Sequence, residues 1–201
     1  AIGAVILQGS INALGTAAIA GQTAGDKIRQ MFTLPMESVG MGMATYAGQN
    51  DGAKNYDRIR QGIRAGLAIQ WIYCAAAWAV IFVGKGAFTS LVLGGTADAA
   101  AAFSVQYLGI ISCLFCFHGA LMIFRNTLQG MGYSLHAVLS GVGELVGRAV
   151  CGLAAVKTGS FVGICVASPA AWALALVYCS VMTVLFLRKR TRQAAQTVGA
   201  A

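Results

Sequence analysis

Residues 22–66 read QTAGDKIRQMFTLPMESVGMGMATYAGQNDGAKNYDRIRQGIRAG. The stretch begins as an apolar helix carrying Gln22, Asp26, Arg29, Thr33 and Glu37. It then meets a helix-breaking run, Gly48-Gln49-Asn50-Asp51-Gly52-Ala53, and restarts with Lys54, Arg58, Arg60 and Arg64. At ~100° per residue the five polar positions fall on one side of the helix. Hydrocarbon cannot solvate such a stripe, so in a membrane helix it faces protein or water. A stripe this long fits a water-filled cavity better than a single buried ion pair, and a cavity points to transport.

Composition puts the helix in a bilayer. Of 201 residues, 58% are hydrophobic and 10% charged, with a mean hydropathy of +0.72. Soluble domains carry roughly 25% charged residues. Apolar segments recur at about the ~20 residues needed to cross a bilayer. The net charge of +8 comes largely from two clusters, Lys54 to Arg64 and Arg188-Lys189-Arg190 with Arg192. Both flank apolar segments, which is an orientation signal and argues against nucleic acid as a partner.

Six helical segments are expected, at residues 1–13, 17–48, 56–83, 97–129, 134–156 and 162–187, followed by a basic tail, 188–201. The first is too short to span and ends at Leu14-Gly15-Thr16, a tight turn, so the sequence is expected to begin inside a span. Pro35 should kink the second segment. A short apolar piece, Ala87 to Leu93, is expected at the interface. If every segment crosses, the loop at 48–56 and the tail lie on one side. The positive-inside rule then makes both cytoplasmic, in a multi-pass protein of the plasma (inner) membrane. The first segment shows neither a basic start nor a cleavage pattern, so no secretory signal is expected.

Several residues are candidates for chemistry. Glu37 lies mid-span, two residues after Pro35. It either binds and releases a proton or hydrogen-bonds backbone freed by the proline. Asp26 and Arg29, three apart, are expected to pair at the outer mouth of the cavity. Gln8 and Asn12 share a face and either join the polar lining or bond a neighbouring helix. His118, Arg125 and Gln129 share a face of the fourth segment. His118 is either a proton relay or a neutral histidine bonded within the bundle. Arg125 is expected to snorkel toward the cytoplasmic end. Glu144 and Arg148, acid first and four apart, are expected to form a structural ion pair. Gly143 and Gly147 form a G-x-x-x-G, which permits close helix approach.

The six cysteines lie in apolar stretches and read as small filler; Cys113-Leu114-Phe115-Cys116 has no second C-x-x-C to suggest a metal site. No zinc-protease helix, phosphate-binding loop or nucleophile turn is present, so neither an enzyme nor a bound metal or cofactor is expected. Energy for transport would then come from an ion gradient or from the substrate's own gradient.

Met31-Phe32-Thr33-Leu34-Pro35 followed by Gly40 to Ala53 resembles multidrug and toxic compound extrusion transporters. So do Leu14-Gly15-Thr16-Ala17-Ala18 and Arg125-Asn126-Thr127-Leu128-Gln129-Gly130-Met131-Gly132. The resemblance implies an all-α polytopic membrane helix bundle of twelve spans in two six-helix lobes. This chain corresponds to the second lobe, its first helix truncated. It further implies export of drugs or metabolites, commonly organic cations and aromatic compounds, by sodium- or proton-coupled antiport with alternating access. The partners implied are a small-molecule substrate, the lipid bilayer and the N-terminal lobe of the same protein. The cavity or coupling residues would be Gln8, Asn12, Gln22, Asp26, Arg29, Thr33, Glu37 and His118. Some sodium-coupled members carry acidic residues on the lobe's first and fourth helices. Gln8 and His118 occupy those places here, a departure from the sodium-site pattern. Two alternatives stand beside this reading: a lipid or polysaccharide-precursor flippase, and a structural membrane subunit that moves nothing.

Overall fold

A computed structural model describes residues 15–95, 98–158 and 160–199. Gln8 and Asn12, with the whole 1–13 segment, lie outside the described residues. Among those described, six α-helices and no strand are found: α1 (Thr16–Gly52), α2 (Tyr56–Leu93), α3 (Asp98–Cys113), α4 (Phe115–Gly130), α5 (Ser134–Thr158) and α6 (Phe161–Gly199). The protein is an all-α membrane helix bundle. Three helices, α2, α5 and α6, are long and apolar enough to cross a bilayer, and α3 with α4 makes a fourth if the bent pair is one span. The polar stripe keeps α1 out of that set, although its 37 residues exceed the length needed. Large apolar side chains such as Ile72, Val83, Leu91, Val138, Leu174 and Val177 are exposed. In a bilayer these are the groups that meet acyl chains.

The helix limits differ from sequence expectation in four places. First, α1 does not stop at Gly48 but runs to Gly52. Gly48 is needed for close approach, since a Cβ there would lie 3.1 Å from the Gly130 carbonyl oxygen. The helix closes instead with a Schellman turn: the amide of Asn55 donates to Asn50 O at 2.8 Å and that of Lys54 to Asp51 O at 3.0 Å. Second, α2 continues past Val83 to Leu93, so the 87–93 piece is part of it. Gly84 does not break α2 because it accommodates the ring of Phe88 one turn on. Third, the continuous 97–129 segment is two helices meeting at Leu114, with their axes 51° apart. Bonds from Leu114 N to Ile111 O and from Phe117 N to Leu114 O form i→i+3 turns there. Fourth, the basic tail is helical to Gly199. Arg190 approaches Asp51 at 3.6 Å, and Arg60 donates to Thr191 at 3.0 Å. These contacts hold both basic clusters at one end of the bundle.

Glycines set the central seam. Gly21 faces Ser104, Gly25 faces Tyr107, Gly40 faces Met122 and Gly48 faces Gly130. Partners therefore stay 82 or 83 positions apart, and α1 runs parallel to α3 and then α4 in constant register. That register carries across Leu114, which lies abreast of Phe32 in the turn before Pro35. On both sides of the bend the α1 contact persists, with Tyr107 of α3 on Gly25 and Met122 of α4 on Gly40. Without a hydrophobic driving force between helices in lipid, such small-residue contact is what allows backbones to pack closely. The G-x-x-x-G of α5 is only half used: Gly147 packs on Ala171, whereas Gly143 faces open space. Trp172, Phe115, Met36, Leu108 and Ile111 fill the core around the seam.

Candidate functional site

The five polar residues of α1 do not share one environment. The packed face of the helix runs through Ile28, Met36, Met43 and Ala47, and the polar stripe follows its margin. Gln22 and Thr33 turn into the packing and are buried. The Thr33 hydroxyl donates to Gln30 O at 3.2 Å, a bond within its own helix, while Gln22 Oε1 has no hydrogen-bond partner among the described residues. Asp26 and Arg29 sit half-buried between these. Glu37, at the outer margin, is 48% exposed. Open grooves of about 330–350 Å³ lie elsewhere on the described surface, for instance among Ile28, Phe32, Tyr73 and Phe88.

Asp26 and Arg29 are paired, Arg29 Nε donating to Asp26 Oδ1 at 2.9 Å. The same oxygen accepts from the Tyr107 hydroxyl of α3 at 2.5 Å. Gly25 makes this possible by leaving room for the tyrosine ring. Near Pro35 the backbone is served by α2 rather than by Glu37. Tyr73 Oη donates to Phe32 O at 3.0 Å and Gln70 Nε2 to Met36 O at 2.8 Å. Glu37 instead points toward α4, where its Oε1 lies 4.0 Å from His118 Nε2. The His118 side chain is 10% exposed and packs on Trp172 with ring centroids 4.7 Å apart. Neither of its ring nitrogens has a hydrogen-bond partner among the described residues. Of the two readings the sequence left open, the bonded histidine lacks its hydrogen bond among the described residues: both ring nitrogens are unsatisfied and a carboxylate oxygen stands 4.0 Å away.

A second charged group lies between α4 and α5. Glu144 and Arg148 are paired, Arg148 Nη2 donating to Glu144 Oε2 at 3.0 Å. Arg125 does not snorkel as expected. It turns inward, pairing with Glu144 Oε1 and donating from Nε to Ser140 Oγ at 2.9 Å. Glu144 is thus clamped between two guanidinium groups at 9% exposure. A guanidinium this close to a buried carboxylate gains more there than by reaching for the interface, because low dielectric strengthens the pair. The two groups form one electrostatic neighbourhood: Arg29, Arg125 and Arg148 all lie within reach of His118, and Arg148 within reach of Asp26.

Sequence reasoning missed Tyr107, Ser140 and Trp172. Only their contacts across helices reveal them, since none carries a charge or a motif. Among the described residues no group of three or more His, Cys, Asp or Glu could hold a metal ion, and all six cysteines are free.

Long apolar helices, a parallel glycine-lined seam and charged side chains held inside the bundle define a polytopic membrane protein. The family model MatE matches residues 2–152, three quarters of the sequence. The chain belongs to the MatE family and is a membrane transporter. No curated protein matches the chain.

Proposed function

We propose that the chain forms one lobe of a secondary active exporter that expels drugs or metabolites, organic cations and aromatic compounds among them, in exchange for inward sodium or proton flow. The observation that carries this reading is the approach of Glu37 to His118 across the α1–α4 seam, 4.0 Å apart. A half-exposed carboxylate next to a histidine with two unsatisfied nitrogens can take up and release a small cation or a proton. Such binding moves an inward-open against an outward-open state only if its affinity differs between them. The N-terminal lobe of the same protein would close the substrate pathway opposite α1. The two basic clusters at one end of the bundle support a cytoplasmic 48–56 loop and tail by the positive-inside rule, in a plasma (inner) membrane.

In the complete protein, Glu37→Gln is expected to cut drug export about tenfold or more while leaving thermal stability unchanged. Transport into vesicles with imposed sodium or proton gradients reads the effect and names the ion. Unchanged drug resistance with an unchanged pH profile would remove Glu37 from coupling. A second reading, a lipid or polysaccharide-precursor flippase, would place Arg29, Arg125 and Arg148 toward the substrate, although each is paired with a carboxylate here. Three guanidinium groups suit a pyrophosphate. Scrambling of a fluorescent lipid pyrophosphate without drug efflux would favour it.

A further inference from the structure

The end of the bundle that carries both basic clusters holds a groove between α2, α4 and α6 that the transport reading does not use. It measures about 350 Å³. Arg60, Arg64 and Arg188 form its rim, and Ile63, Phe124 and Val184 are among the residues beneath them. Arg60 is already engaged, by Asp57 at 2.5 Å and Thr191 at 3.0 Å. Arg64 and Arg188 are exposed, and neither has a hydrogen-bond or ion-pair partner among the described residues.

The groove lies where the lipid-facing surface changes character. On α6 the exposed apolar series Val177, Val181, Val184 and Leu185 gives way to Arg188. On α2 the exposed Ile72 and Ile69 give way, toward the helix start, to Arg64. Both transitions meet at this groove, so unpaired cations stand at headgroup depth directly above an apolar trough. A soluble anion would use only the rim, and an uncharged acyl chain only the floor. An acidic phospholipid uses both. Basic pockets between membrane helices are established headgroup sites in general, and each CH₂ seated on the floor adds apolar contact.

We infer that this groove is a binding site for an acidic phospholipid, its phosphate on Arg64 and Arg188 and an acyl chain along Val184 and Phe124. The lipid would bridge α2 and α6, whose direct packing against each other is slight.

The test uses the complete protein, extracted from vesicles of phosphatidylglycerol and phosphatidylcholine and examined by native mass spectrometry for retained lipid. Phosphatidylglycerol is expected to be retained over phosphatidylcholine. Arg64→Ala with Arg188→Ala is expected to lower its retention about tenfold. Both residues are exposed, so thermal unfolding should not change, and a lowered melting point would expose a folding defect instead. Lys54→Ala with Arg58→Ala removes equal charge outside the groove and should leave retention within about twofold. Val184→Trp keeps every charge but fills the trough, and should also lower retention. Equal loss from the Lys54/Arg58 pair would reduce the effect to general charge attraction and overturn the site. Unchanged retention in Val184→Trp, with free glycerol phosphate displacing the lipid, would make the rim a soluble-anion site and overturn the lipid assignment.

Discussion

The two halves of α1 meet their neighbours in different ways. Beyond Pro35, Gly40, Ala44 and Gly48 lie against Met122, Asn126 and Gly130, and backbone touches backbone. A Cβ on Gly130 would collide with the Ala44 carbonyl oxygen. Before Pro35 and just past it, the same register also brings polar side chains together: Asp26 with Tyr107, and Glu37 with His118. Past Pro35 the contact is made by small residues; before it, close backbone approach at Gly21 against the Ala100 carbonyl is joined by bonded polar side chains. The difference teaches that a single parallel register can serve both as a tight seam and as a polar site, depending only on whether glycine or a polar residue occupies the facing position.

The contrast can be broken most severely at the charged groups. Glu144→Ala strands Arg125 and Arg148 without a counter-charge, and is expected to cost about 3–5 kcal/mol. Unfolding in detergent would show this as a large loss of melting temperature. A loss no greater than that of an exposed substitution would mean the pair is bathed in water. On the tight half, Gly130→Ala forces α1 and α4 apart and is expected to cost about 1–3 kcal/mol, measured in the same way. The smallest effect sharpens the comparison. Gly143→Ala should change stability by less than about 0.5 kcal/mol, or raise it slightly through better helix propensity, because none of the described residues lies within 4 Å of a Cβ there. A large loss there would show that a partner packs on α5.

What the sequence disclosed was local. Glu144 with Arg148 and Asp26 with Arg29 are three or four residues apart, so helical geometry alone pairs them. Arg125 joins Glu144 from another helix, and Tyr107 reaches Asp26 across 81 positions. No spacing rule sees such contacts. Turn chemistry divides the same way. Gly132 (φ 84°) closes α4 with the bond pattern that Lys54 (φ 56°) closes α1. The glycine announces its left-handed turn, whereas a lysine gives no such sign and bears a steric cost of about 1–2 kcal/mol. The break at Leu114 was illegible for a related reason: neither proline nor glycine marks it. The helical tail, too, depends on Asp51 and Arg60, which belong to a distant part of the sequence.

The positions of Leu114 and Pro35, within one helical turn of the same level on adjoining helices, have a mechanical meaning. Two neighbouring rods scored at the same depth flex about one shared crease, with no sliding of either past the other. Glu37 and His118 both lie beyond that crease and travel on the same panel, whereas Asp26, Arg29 and Tyr107 stay together on the other. Flexing there would leave each contact intact and alter only the distance between the two groups, which sets how strongly the ion pair on one panel senses a cation arriving on the other.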